Sequence, residues 1–270
     1  MKVITFTGGL GAQLFSASAY YYLNYLCEPV GVYLGYFNET PHNAVPGKKG
    51  DMSKWTWDLD CYNLMRDSFT PSINEHIKEA ELHFHSIYPE IDTCNYIWDG
   101  IEKLRLGYEG FKIPTIAKKF PIDQVVTEYR NSIFKNEPFA CVHIRRGDYL
   151  NSGTLVVDDI SLFRAIKKIV KLVKKLLVVS DTPLTQEISA MITTLPIESV
   201  AIIGGKASLV HGLMRLSNIL ICSNSQYSLT AAFLRDSQHL TIIPSHYAGD
   251  SNHYTDQFLR EINEFQILSY

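Results

Sequence analysis

Short apolar runs alternate with longer amphipathic stretches along most of this chain, and the places where that alternation starts, lapses and resumes predict its organisation. Lys2 to Phe6 reads as a strand, Thr7-Gly8-Gly9-Leu10-Gly11-Ala12-Gln13 as a turn, and about Leu14 to Leu26 as a helix. Gly31 to Phe37 predicts a second strand. From Asn38 to Lys119 the periodicity lapses and aromatic rings accumulate, among them Trp55, Trp57, Tyr62, Phe69, Phe84, Tyr88, Tyr96, Trp98 and Tyr108. Most of these read as core, although sugar-binding clefts also use such rings. Pro114, Pro121 and Pro138 punctuate the middle, and an inter-domain connection is expected near residues 121–138.

Beyond that connection the pattern is regular. Strands are predicted at Phe139–Ile144, Leu176–Val179, Val200–Ile203, Asn218–Cys222 and Leu240–Ile243. Helices are predicted between them at Asp159–Lys174, Leu184–Ile192, Ser208–Leu216 and up to Arg235, with a terminal helix over Tyr254–Phe265. Strands alternating with helices imply an α/β fold with a parallel, doubly wound sheet, whose ligands gather outside the carboxyl ends of the strands. Three polar segments fall there: His143 to Asp148, Ser180-Asp181, and Ser223-Asn224-Ser225. That coincidence points to a nucleotide-type site.

The chain is long enough for two domains, and 46% hydrophobic with 20% charged residues is a globular composition. A net charge of −3 draws no nucleic acid, so any anion site is local. Five cysteines without a CxxC pair read as reduced thiols in a cytosolic setting. No signal peptide or membrane anchor is expected before the first strand, and no apolar run reaches the roughly 20 residues that span a bilayer. His83 and His85 flank Phe84 without a partner at metal-ligand spacing, and no acidic pair follows a strand to hold a divalent ion. Asp158-Asp159 stands at a helix start, where acids are expected.

His143-Ile144-Arg145-Arg146-Gly147-Asp148-Tyr149 concentrates two guanidiniums, an imidazole and a carboxylate at the end of an apolar strand. On local grounds a solvated turn competes evenly with an anion site; the Arg146-Gly147-Asp148 tripeptide as an adhesion signal fits less well, because a displayed loop needs no apolar strand leading into it. As an anion site, Arg145 offers a bidentate grip on a diphosphate. Asn224, Ser225 and Ser228 start a helix and are candidates for a phosphate cradle, with a plain N-cap equally good for Ser225; Asp181 is a candidate acceptor for a ribose hydroxyl or base edge.

The same heptapeptide resembles the HxRRGDY motif of the inverting α-1,2-fucosyltransferases. Gly8 to Phe15 is similar to that family's GGLGNQxF stretch, Tyr36-Phe37 to its GYF segment, and Val179-Ser180-Asp181 to its strand-terminal SD segment. Leu213-Met214, Asn224-Ser225-Gln226-Tyr227-Ser228 and Ala231-Ala232 resemble its LM…NSxFSxxxA block. Two departures stand out: Ala12 where the family has asparagine, and Leu229-Thr230 where aromatic residues are usual.

The resemblance implies two Rossmann-like domains facing each other across a cleft, the GT-B type: an amino-terminal acceptor-side domain over 1–130, a GDP-sugar-binding domain over 131–250, and a terminal helix over 251–270. It implies transfer of fucose from GDP-fucose to a glycan hydroxyl, galactose 2-OH above all, with inversion, no cofactor and no metal. The implied catalytic residues are Arg145, His143 and Asp148. The implied donor contacts are Gly9, Gly11, Gln13, His143, Arg145, Arg146, Ser180, Asp181, Asn224, Ser225 and Ser228, and the acceptor contacts Tyr36 and Phe37. The general base is open among His143, Asp148 and a group of the first domain. A transferase for another nucleotide sugar, or a non-catalytic glycan- or nucleotide-binding protein, stands as the alternative. Lys167, Lys168, Lys171, Lys174 and Lys175 crowd one helix and its exit, a solvated face or a peripheral contact with anionic lipid at the inner face of a membrane, where a lipid-linked acceptor would sit.

Overall fold

The computed structural model describes residues 2–34, 37, 56–70, 72, 95–97, 101–147, 149–152, 156–235, 239–244, 262 and 265–268. Trp55, His83, Phe84, His85, Tyr88 and Trp98 lie outside them. So does the helix expected over Tyr254–Phe265, except at Ile262 and at Phe265, which opens a strand.

The chain divides into two compact units, Met1–Pro121 and Ile122–Tyr270. The first holds a parallel sheet of order β2-β1-β3, with β1 at Lys2–Thr5, β2 at Val30–Tyr33 and β3 at Asn95–Ile97. Helix α1 (Leu10–Tyr25) starts four residues before the expected Leu14, inside the glycine turn. It packs on α2 (Ile101–Lys112), which lies where the sequence reads as irregular. Two glycines conceal α2 in the sequence and explain its packing. A Cβ at Gly107 would meet Phe15, and one at Gly110 would stand 2.6 Å from the Ser18 carbonyl, so only hydrogen atoms there let the two helices approach. The Ser18 hydroxyl donates to the Gly107 carbonyl across that contact. A single-turn helix, α3 (Pro114–Ala117), follows.

The expected connection over 121–138 is itself largely a helix, α4 (Gln124–Phe134), with Asp123 as its N-cap. It packs on a later helix, Ala207–Leu216, where Gly212 leaves room for Val126. The second unit then runs β4 (Phe139–Ile144), single-turn α5 (Tyr149–Ser152), α6 (Asp159–Ile169), β5 (Lys175–Ser180), α7 (Gln186–Thr193) and β6 (Glu198–Ile203). It continues with α8 (Ala207–Leu216), β7 (Ile219–Ile221), α9 (Gln226–Phe233), β8 (Leu240–Pro244) and β9 (Phe265–Leu268). The sheet is parallel throughout, in the order β6-β5-β4-β7-β8-β9. Central strands are buried along their whole length, which is why β4 and β5 read as unbroken apolar runs; β6, at the edge, exposes four of its six residues. Leu162, Ala165, Ile166 and Ile169 of α6 close one face against Ala140, Val142, Leu176 and Val178.

Strand β4 is laid down first, β5 and β6 extend the sheet to one side, and β7 returns to β4's other edge. The order therefore reverses between β4 and β7, and the rim above that reversal is where such sheets leave a crevice.

Candidate functional site

The three polar segments singled out in the sequence end three adjacent strands, β5, β4 and β7, and are bonded to one another. Between β4 and β5 the link is Asp181. Its Oδ2 lies 3.0 Å from Arg145 Nη1, and its Oδ1 accepts the Arg146 backbone N–H at 2.9 Å. The carboxylate also lies against Gly147, where a Cβ would stand 2.5 Å from Oδ2. A larger residue there would push the Asp181 carboxylate away from its place beside Arg145. Arg145 lies over the Tyr149 ring at 5.1 Å and keeps 30% of its side chain exposed. An ion pair holds it at the rim without burying it.

Between β4 and β7 the link is a hydrogen bond across the reversal, Ser223 Oγ to His143 Nδ1 at 2.7 Å. His143 is buried on β4, and burial together with the Arg145 charge lowers its pKa to about 3, so the ring is neutral at physiological pH. Its ring meets that of Tyr227 edge-on at 5.5 Å, and Tyr227 in turn lies 5.4 Å from the ring of His211. His211, fully buried on α8 and within 3.2 Å of Thr230 Oγ1, is held well below the usual histidine range, by burial first and then by Arg215 and His143.

Several expected ligand residues turn inward. Arg146 is buried and pairs with Asp159 Oδ1 at 2.5 Å, while the Thr185 hydroxyl donates to the same carboxylate's other oxygen. It therefore ties the β4 loop to the start of α6. The Ser228 hydroxyl lies 3.2 Å from the carbonyls of both Ser223 and Ser225 and is fully buried, so it closes its own turn. The Ser225 Oγ accepts the Tyr227 N–H as N-cap of α9. Ser180 and Asn224 are buried at the ends of their strands.

In the first unit, Gly9 is the N-cap of α1 and Gly8 before it has a φ of +69°. Gln13 is fully buried; its amide donates to the carbonyls of Gly8 and Thr56, both at 2.8 Å, and its Oε1 accepts the Asp58 N–H at 2.9 Å. The amide is a brace for the glycine turn, with both of its hydrogens used inside the protein. Gly11 is buried in α1. Phe37 is packed against Trp57 at 5.3 Å with Arg66 over its ring, inside a cluster that includes Phe6 and Phe69. Tyr36 and Asp148 lie outside the described residues.

Sequence reasoning passed over Ser223 as an individual residue, along with His211 and Thr185, took Asp159 only as a helix-start acid and met Tyr227 only inside a family motif. Ser223 and His143 are 80 residues apart, and no local spacing announces such a pair. Among the described residues no three His, Cys, Asp or Glu side chains are grouped to hold a metal ion, and no helix is long and apolar enough to cross a membrane. Lys167, Lys168, Lys171 and Lys174 are exposed, whereas Lys175 is buried between Glu137 at 3.2 Å and Glu198 at 3.7 Å and leaves the basic cluster.

A parallel sheet reversing at β4, with an arginine and a run of polar residues on the rim above, preceded by a second α/β unit, is the architecture of GT-B glycosyltransferases. The structure is similar to that of E. coli ADP-heptose LPS heptosyltransferase II, with a TM-score of 0.51 at 8% identity, over 98% of this chain and 89% of that one. POFUT1 in complex with GDP aligns with a TM-score of 0.46 at 11% identity, over 89% and 96% of the two chains. Arabidopsis thaliana FUT1, a mutant in complex with GDP, aligns at 0.44 and 13%, over 90% and 69%. No curated protein matches the chain. The chain belongs to glycosyl transferase family 11, a family of fucosyltransferases, whose model matches residues 121–266, just over half its length.

Proposed function

We propose that this protein transfers fucose from GDP-fucose to a hydroxyl of a glycan acceptor, the 2-OH of galactose above all, with inversion and without a metal ion. The observation that carries this reading is Arg145, held by Asp181 at the rim where β5, β4 and β7 end, in a family defined by fucosyl transfer. A guanidinium there grips the pyrophosphate and neutralises the charge that grows on departing GDP. Asp181 fixes where that guanidinium stands, so its position is set before the donor arrives. His143 lies next to the arginine and adds a neutral polar group to the same rim. With GDP as leaving group, positioning and charge stabilisation carry most of the rate, through an oxocarbenium-like transition state.

The test is GDP release from GDP-fucose with galactose-terminated acceptors in the presence of EDTA. Turnover is expected with EDTA present, and Arg145→Ala is expected to lose roughly 100-fold or more while it still unfolds cooperatively as a folded protein. Full activity in that variant, or turnover that stops with EDTA, sinks the reading.

Ala12 favours a second reading, in which the donor is a different nucleotide sugar, since the side-chain amide usual in the family is missing beside the glycine turn. The heptosyltransferase with the same fold takes an ADP-sugar. A donor panel in the same assay separates the two, and nucleotide binding without turnover of any donor would mark a non-catalytic binding protein.

The exposed lysines at the end of α6 support a peripheral contact with anionic lipid, at the inner face of a membrane in a reducing compartment. That end lies about 15 Å along the helix from Asp159, which pairs with Arg146 of the β4 loop. A bilayer touching it would leave the rim free for a glycan projecting from the headgroups. Co-sedimentation with phosphatidylserine vesicles that Lys167→Glu with Lys171→Glu leaves unchanged would remove this contact.

A further inference from the structure

We propose that Ser223 is a positioning residue that fixes His143 as the tautomer protonated on Nε2, so that His143 offers the bound ligand a neutral hydrogen-bond donor and does not act as the general base. The inference rests on the function proposed above and narrows it. The geometry around the Ser223 hydroxyl carries it. That group has one hydrogen and two nitrogen or oxygen neighbours among the described side chains: His143 Nδ1 at 2.7 Å and Ser228 Oγ at 3.5 Å. The first distance is that of a well-formed bond and the second is at the outer limit of one.

Ser228 spends its own hydrogen on the carbonyls of Ser223 and Ser225, each at 3.2 Å, and at 3.5 Å its oxygen is the poorer acceptor for the Ser223 hydrogen. The Ser223 hydrogen therefore goes to Nδ1. A neutral imidazole that accepts at Nδ1 carries its proton on Nε2. The opposite tautomer would donate from Nδ1 to Ser223 and leave the serine hydrogen only the 3.5 Å contact.

The surroundings hold the ring in this state. The Tyr227 ring of α9 lies 5.5 Å from that of His143 and 5.4 Å from that of His211 on α8, and Arg145 follows the last residue of β4. Burial first and then the Arg145 charge oppose a positive charge on His143, and no carboxylate faces it in a described contact. An Nε2–H donor suits a lone-pair oxygen, such as a phosphate oxygen of the donor substrate. With its Nε2 lone pair committed to that proton, His143 has no site to take the proton of an acceptor hydroxyl. The base belongs to another group.

Nitrogen-15 NMR of the full chain labelled in its histidine rings reads the tautomer directly, with His143→Gln assigning the signal. We expect a protonated Nε2 and an acceptor Nδ1 in the wild type, and loss of that asymmetry in Ser223→Ala. In the transfer assay Ser223→Ala is expected to lose roughly 5- to 10-fold in kcat/KM, the worth of one neutral hydrogen bond, and Ser223→Thr, which keeps the hydroxyl, to recover most of it. His143→Gln, which retains an amide donor, is expected to outperform His143→Glu. A wild-type ring protonated on Nδ1, or a kcat/KM that titrates with His143 between pH 5 and 8, overturns the proposal, and the NMR result stands even if Ser223→Ala fails to fold. No turnover with any donor but an Nε2-protonated ring would mean that the transferase reading had failed and the tautomer assignment had not.

Discussion

In the first unit the turn after β1 is held by one amide, Gln13, which bonds to the carbonyls of Gly8 and Thr56 and to the N–H of Asp58. In the second unit the turn after β4 is held by two carboxylates, Asp181 on Arg145 and the Arg146 N–H, and Asp159 on the Arg146 guanidinium. Both turns lead from a parallel strand towards a helix, yet the first is braced by neutral bonds to backbone and the second by charge. A neutral brace fixes the path of the chain. A charged brace fixes the path and also sets a cation at the rim, and the two neighbouring arginines divide that work: Arg146 is consumed by the brace and Arg145 is displayed by it.

The largest effect that separates the two arginines is on stability. Arg146→Ala leaves the part-buried Asp159 carboxylate without its cation, with only the Thr185 hydroxyl still on it, a loss of about 2–3 kcal/mol. Urea unfolding is expected to show it as a fall in midpoint, whereas Arg145→Ala, whose pair with Asp181 is more exposed at 30% and 19%, should lower the midpoint less and fail in transfer. If Arg146→Ala unfolds like the wild type but no longer binds GDP, the division of labour is wrong and Arg146 belongs with the ligand.

Acid sharpens the contrast from another side. His143 has its pKa lowered from 6.5 to about 3 by burial and by Arg145, and His211 is lowered as well. Between those values the unfolded chain binds protons that the native chain refuses, so stability is complete above pH 6.5 and falls as pH drops below it. At pH 5 His143 alone accounts for about 2 kcal/mol. All three tryptophans precede residue 121 and so belong to the first unit's stretch of chain. Far-ultraviolet circular dichroism, which sees both units, should therefore weaken between pH 6.5 and 5 before tryptophan fluorescence does. A flat unfolding free energy over that window, or no change of slope in His143→Gln, would contradict it.

How much of this was legible in the sequence follows from the range of the interactions. The central strands of the second unit were readable because burial on both faces makes β4, β5 and β7 apolar runs, and β4 was placed at the residues where it forms. Helix α2 was not readable, because Gly107 and Gly110 lower its propensity while serving its contact with α1. Helix α4 was hidden between prolines, with Val125 exposed on its outer side. At the site, the order of strands told which loops would meet but not what their side chains would do there. Arg146, Gln13 and Ser228 carry the right chemistry for a ligand and spend it on partners 13, 43 and 3 to 5 residues away. Only the folded chain distinguishes the two uses.

The smallest effect tests the neutral brace. Gln13→Ala removes two donated bonds and one accepted bond from a fully buried amide, but the groups it leaves are backbone carbonyls and one N–H in a segment that is partly open at Thr56. Water can reach some of them, so the cost is set at about 1–2 kcal/mol, below that of the buried ion pair. Because the tryptophan at position 57 lies beside the braced segment, fluorescence should register the loss at lower urea than circular dichroism does, the reverse of the order expected in acid. Donor KM measured well below the unfolding midpoint should stay within about twofold of the wild type, since a brace acts on the fraction folded and a ligand contact acts on affinity. A KM that rises tenfold with the unfolding curve unmoved would return the Gln13 amide to the ligand and make the two turns alike.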